Sequence, residues 1–119
     1  MKILIIEDEP FIALDLETAV EAQAHDVVGI ADSMGSALAL ARATACDGAL
    51  IDVRLRDGFT GPAIAETLKA EFGMPFAFIT GNVEQLPADR CGAVAVVQKP
   101  FSQAEIARVL SVLEEQAAR

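Results

Sequence analysis

The sequence predicts an α/β fold: a doubly wound, five-stranded parallel sheet in the order 2-1-3-4-5, covered by helices on both faces as a three-layer sandwich. Three observations carry this expectation. Short runs rich in Val, Ile, Leu and Phe recur at residues 2–7, 27–31, 49–53, 75–80 and 93–98, and they are continuously apolar, as strands buried on both faces must be. Helical patterns fill the gaps, and strict alternation of β and α with right-handed crossovers gives a parallel sheet. Each run also ends in a polar residue, reading Glu7-Asp8, Asp32, Asp52, Thr80 and Lys99, at the carboxyl ends where open α/β sheets collect their chemistry.

Taken in order, Lys2-Ile3-Leu4-Ile5-Ile6 opens the first strand almost at once, without the basic and apolar regions of a cleaved leader. Pro10 suits a first helical turn, and Phe11, Leu14, Leu16, Ala19, Val20 and Ala24 are expected to form one broad apolar face. His25 falls in the loop before strand two and is expected at the surface. Ser33 can cap a second helix carrying Leu38, Leu40 and Ala41. Asp32, just before it on an edge strand, reads as a cap or turn residue and is left outside the site. Thr60-Gly61-Pro62 opens a third helix with Ile64, Leu68 and Phe72, and Phe76 and Phe78 in strand four read as packing residues. Ser102-Gln103-Ala104-Glu105 is a capping-box pattern opening the last helix, which carries Ile106, Val109, Leu110 and Leu113. Between strands four and five, residues 81–92 hold few apolar side chains and Pro87 in their middle. A full helix there is not expected, since proline in a helix interior costs ~3 kcal/mol. At most a short turn beginning near Pro87 is predicted, in what should be the most mobile stretch.

With 119 residues the chain is expected to be one domain, residues 1–119. No apolar run approaches the ~20 residues of a membrane span, so a cytoplasmic protein with no membrane partner is expected. A net charge of −9 repels nucleic-acid phosphates, which argues against direct DNA binding. Cys46 and Cys91 lack the spacing of a zinc or redox motif and read as small buried thiols. Glu17, Glu21, Glu66, Glu114 and Glu115 read as solvated helix faces, and Arg54 and Arg56 as solvated charges.

In the 2-1-3-4-5 order strands one and three are neighbours, so Glu7, Asp8 and Asp52 converge at one crevice. Their mutual repulsion calls for a cation, and Mg²⁺ is the natural one, since it takes oxygen ligands and bridges carboxylates to phosphate. The backbone carbonyl of Arg54 could complete the shell. Thr80, with Gly81 beside it for access, offers a hydroxyl, and Lys99 a compact positive charge. The Lys99–Pro100 peptide is expected to be cis, in a tight turn that aims the ammonium group at the crevice. These parts suit attack by a carboxylate on a phosphoryl group, and Asp52, at the end of the central strand, is the best nucleophile.

Glu7-Asp8, Asp52, Thr80, Lys99-Pro100-Phe101 and the Asp57-Gly58-Phe59-Thr60-Gly61 turn, in this order, resemble the response-regulator receiver domains of two-component signalling over nearly the whole chain. The resemblance implies a flavodoxin-like fold and a phosphorelay role. It also implies a histidine kinase or phosphotransfer protein as partner, with at most self-phosphorylation and self-dephosphorylation as activity. Most receivers carry Tyr or Phe three residues before the lysine; here that residue is Val96, and there is no Tyr or Trp in the chain. Phe76-Ala77-Phe78-Ile79-Thr80-Gly81 is similar to an atypical receiver class with a Phe-Ala-Thr-Gly type motif, which implies alphaproteobacterial signalling and an unusual kinase family. Without the aromatic, the signal is expected to leave Thr80 by ordering residues 81–92, reaching strand five and the last helix. Two alternatives stay open: an unphosphorylated binding module of the same fold, and a flavodoxin-like cofactor binder, although no phosphate loop follows strand one. A homodimer, the downstream target, and a stand-alone receiver versus a piece of a longer regulator also stay open.

Overall fold

In the computed structural model, which describes residues 1–118, the five apolar runs pair side by side, all parallel, in the predicted order β2-β1-β3-β4-β5. The elements are β1 (Lys2–Ile6), α1 (Pro10–Ala22), β2 (Asp26–Ala31), α2 (Met34–Ala43), β3 (Gly48–Ile51), α3 (Gly61–Phe72), β4 (Phe76–Thr80), β5 (Ala95–Gln98) and α4 (Gln103–Ala117). Register brings the strand ends level: Ile6 lies opposite both Ala31 and Ile51, Ile51 opposite Phe78, and Thr80 opposite Gln98.

Successive strand side chains point to opposite faces, and this splits the core in two. Leu4, Ile6, Ala49, Ile51, Phe76 and Phe78 pack with Ala37 and Ala41 of α2 and Ile64, Ala65 and Leu68 of α3. Ile3, Ile5, Leu50, Ala77, Ile79 and Val97 pack with Leu16, Ala19 and Val20 of α1 and Ile106, Val109, Leu110 and Leu113 of α4. The Phe76 and Phe78 rings meet edge-on at 5.4 Å, fully buried, as packing residues should. Ser33 caps α2 reciprocally with Ser36, and Ser102 and Glu105 form the predicted capping box of α4. Gly73, at φ 60°, ends α3 in the left-handed region that glycine adopts without penalty.

The broad apolar face expected on α1 is narrower. Phe11 and Leu14 are 84% and 55% exposed, while Ala13, Leu16, Ala19 and Val20 form the buried stripe. At about 100° per residue, positions 11 and 14 fall on the far side of the helix from that stripe. Ala24 lies past the helix end, at φ 63°. Phe72, near the end of α3, is also 40% exposed.

Residues 81–92 form no α-helix. Two short 3₁₀ turns, Val83–Gln85 and Arg90–Gly92, flank Pro87, and Arg90 N donates to Pro87 O at 2.9 Å. The turn near Pro87 was expected; the earlier one was not. Leu86 and Cys91 are buried in the core cluster shared with α2 and α3, so this segment covers the sheet where a regular helix is missing. Arg90, Cys91 and Gly92 all have positive φ, at 52°, 56° and 80°. Cys46 is half-buried, Arg54 and Arg56 are exposed, and His25 is partly buried with Nδ1 2.8 Å from the Met1 amino group. Among the described residues no helix is long and apolar enough to cross a membrane.

Candidate functional site

The polar strand ends are held by continuation of the sheet ladders one residue past the strands. Glu7 N donates to Ala31 O at 2.8 Å, Asp52 N to Ile6 O at 2.9 Å and Lys99 N to Thr80 O at 2.9 Å. Glu7, Asp52 and Thr80 are the buried polar residues of the chain among those described. Glu7, Asp8 and Asp52 each offer a carboxylate oxygen within 4.8 Å of the others. Hard oxygen donors at this spacing suit a small divalent cation. Arg54, whose carbonyl was expected to join them, stands two residues past Asp52 with its side chain in solvent.

Lys99 reaches from the β5 side across to this cluster, its Nζ donating to Glu7 Oε1 at 2.5 Å and to Asp52 Oδ2 at 2.8 Å. The second oxygens are also engaged: Glu7 Oε2 accepts from Glu9 N, and Asp52 Oδ1 accepts from Val53 N at 2.7 Å. The Lys99–Pro100 peptide is cis, as expected. Burial pushes the Glu7 carboxyl up to about 7, against the hydrogen bond from Lys99 and with the help of the neighbouring Asp52 charge. Burial also works against the Lys99 charge, but hydrogen bonds to Asp52 and Glu7 outweigh it and hold the ammonium above its ordinary pKa.

The start of α3 presses against the nucleophile candidate from behind. Gly61 N donates to Val53 O at 3.0 Å, and a Cβ at Gly61 would fall 2.2 Å from the Asp52 carbonyl oxygen. Only glycine allows this approach. On the other side of the crevice, Thr80 is fully buried and its Oγ1 accepts the Asn82 N–H at 3.0 Å. The open access expected from Gly81 is therefore partial: Gly81 itself is exposed, but the hydroxyl is engaged by the next turn.

Asp32 lies outside the three-carboxylate cluster, yet it is not idle. Its carboxylate accepts from Ser36 Oγ and sits 3.6 Å from Arg56 Nε, and it shares a groove with Glu7, Asp8, Pro10, Ala13, Leu14, Glu17 and Ile30. Sequence reasoning missed Asn82, because the group used is a backbone N–H. It placed Asp57 in a turn but missed its bond to Met34 N, because that partner is 23 residues away.

The chain matches the response regulator receiver domain over residues 3–111. It is 37% identical to the phyllosphere-induced regulator PhyR of Methylorubrum extorquens, over 99% of this chain and 46% of that protein. Among solved structures it is similar to the PhyR receiver domain of Erythrobacter litoralis, with 32% identity, a TM-score of 0.89 and coverage of 96% of this chain and 89% of that one. It is also similar to the anti-anti-sigma factor PhyR of Bartonella quintana, with 31% identity, a TM-score of 0.84 and coverage of 98% and 49%. The chain spans about half the length of the curated relatives it matches. A family match over residues 3–111, on a five-stranded sheet of this order and a cluster of carboxylates at its carboxyl edge, leads to one conclusion: the chain belongs to the response regulator receiver domain family.

Proposed function

We propose that this receiver accepts a phosphoryl group on Asp52 from the phosphohistidine of a sensor histidine kinase or phosphotransfer protein. A carboxylate oxygen of Asp52 forms the new O–P bond as the N–P bond of the donor breaks, and the imidazole keeps the electron pair and takes up a proton from solvent. Glu7, Asp8, Asp52 and the Arg54 carbonyl would hold Mg²⁺, which would supply charge neutralisation at the phosphoryl oxygens. The observation that supports this most is the placing of Asp52: buried at the end of the central strand, within 4.8 Å of two further carboxylate ligands and 2.8 Å from the Lys99 ammonium. Catalysis then consists of positioning and electrostatics. The decisive measurement is protein mass after acetyl phosphate and Mg²⁺. Wild type is expected to gain one phosphoryl group and Asp52→Asn none; modification of neither, with a kinase donor also failing, would leave an unphosphorylated binding module.

Thr80 and Lys99 sense the product. When Thr80 Oγ1 turns to a phosphoryl oxygen it gives up the Asn82 N–H, so the change enters residues 81–92 and passes through β5 to α4. Val96 provides no ring for the usual inward swing. The donor approaches over α1, where Leu14 lines the acidic groove and Phe11, one turn before it, is exposed. Phe11→Ser is expected to slow transfer from the kinase about tenfold while leaving acetyl phosphate labelling unchanged; equal loss with both donors would remove this surface from the reading. The output is a contact with another protein in the cytoplasm. The acidic charge of −9 and the anti-anti-sigma role of the Bartonella relative support a protein target over nucleic acid.

A further inference from the structure

Residues 54–60, between β3 and α3, form a tight turn with its own internal bonds. Leu55 N donates to Gly58 O at 2.8 Å and Gly58 N to Leu55 O at 3.0 Å, with Gly58 at φ 109° and the Leu55 side chain buried. Arg54 is thereby held from both sides, since Val53 O, on its other flank, accepts from Gly61 N at 3.0 Å. The link from this turn to the rest of the molecule runs through Asp57. Its Oδ1 accepts the Thr60 hydroxyl at 2.7 Å, and its Oδ2 accepts the N–H of Met34, the first residue of α2, at 3.0 Å. A parallel tie runs from Arg56 N to Asp32 O at 3.2 Å. Met34 N–H is one of the donors that a helix leaves without an internal partner, and a carboxylate is favoured at that end of the helix dipole. The Thr60 hydroxyl, and after it the Met34 N–H, hold the Asp57 carboxyl below its usual pKa, so it stays charged at neutral pH.

We propose that Asp57 is a positioning residue for the divalent cation: by tying the turn to α2 it holds Arg54 where its carbonyl joins Glu7, Asp8 and Asp52. This rests on the metal reading given above. Asp57 does not touch the ion; it acts as an outer support for a backbone ligand, and removal of such supports typically weakens metal affinity 10–100-fold. Linkage makes the effect reciprocal, so Mg²⁺ binding tightens the first turn of α2.

The test is Mg²⁺ titration of the whole chain, followed by calorimetry and by backbone amide shifts, on wild type, Asp57→Asn, Asp57→Ala and Thr60→Val. Asparagine can accept from Met34 N–H with its oxygen and donate to Thr60 with its amide, so Asp57→Asn is expected to bind within about threefold of wild type. Asp57→Ala is expected to bind about tenfold more weakly, and Thr60→Val to fall between. Mg²⁺ should slow exchange of the Met34 amide in wild type and Asp57→Asn, but not in Asp57→Ala. Equal affinity of Asp57→Ala and wild type would overturn the proposal and leave the metal site standing. If Asp57→Asn is as weak as Asp57→Ala, lost charge rather than the lost tie is responsible, and the proposal also fails. Wild type showing no Mg²⁺-dependent shifts at Asp8 and Asp52 would remove the metal reading itself.

Discussion

The two chain segments that leave neighbouring strands at the site are built in opposite ways. After β3, residues 52–61 are clamped: Asp52 Oδ1 takes Val53 N–H, Gly61 presses its backbone on the Asp52 carbonyl, and Asp57 and Arg56 tie the turn to the β2–α2 connection. After β4, residues 81–92 consist of two 3₁₀ turns around Pro87, held to the core by Leu86 and Cys91, with Arg90 and Cys91 in a backbone region unfavourable to L-residues. The contrast teaches a division of labour. On the proposed function, the segment that carries Asp52 keeps its geometry before and after phosphoryl transfer, whereas the segment that leaves Thr80 has a second arrangement near in free energy.

The sharpest way to break this contrast is to add one carbon to each side. Gly61→Ala places a methyl group 2.2 Å from a backbone oxygen and is expected to destabilise the protein by about 3 kcal/mol in urea denaturation, the upper range for overpacking. Gly81→Ala meets no heavy atom within 4 Å and is expected to stay within about 0.5 kcal/mol of wild type; comparable losses at the two positions would refute the division. Next in size, Leu86→Ala is expected to cost about 2 kcal/mol and to speed amide exchange across 81–92, with Asp52–Gly61 protection unchanged. In wild type a phosphoryl mimic should slow exchange across 81–92, and unchanged protection there would sink the ordering route from Thr80.

A pH dependence of stability is expected at Glu7 of the carboxylate cluster, outside both segments. Glu7 has a folded pKa of about 7 against an ordinary 4.5, so the folded state holds its proton more tightly than the unfolded chain does. Its contribution to stability is full below pH 4.5 and is lost as pH rises through about 7. Urea midpoints measured in EDTA should fall over that window in wild type, and Glu7→Gln should flatten the curve. A Glu7→Gln curve as steep as wild type would assign the slope to other groups.

Much of the sheet was legible because buried parallel strands leave continuous apolar runs, and the carboxylate cluster followed from strand order once Glu7-Asp8 and Asp52 stood at strand ends. The α4 start was equally readable, since Ser102 and Glu105 satisfy each other locally. Phe11 and Leu14 misled because periodicity counts apolar residues without knowing which side meets the sheet. Leu86 carried no signal, as an isolated apolar residue before a proline matches no repeat, whereas Cys91 was read as a buried thiol and is one. Asp57 was seen as part of a turn, but its reach to Met34 depends on how β3 and α2 lie in space, which no local pattern encodes.

The close approach of Gly61 to Asp52 has one further consequence, for the lengths of chain that evolution or an engineer can insert. An extra residue just after Gly61 cannot bulge out harmlessly, because α3 starts against the strand; it would turn the rest of the helix by about 100° and carry Ile64 and Leu68 away from the sheet. The first turn of α3 is therefore fixed in length as firmly as in composition. Residues 81–92, with no helix to keep in phase, can gain or lose a residue so long as Leu86 and Cys91 still reach the core.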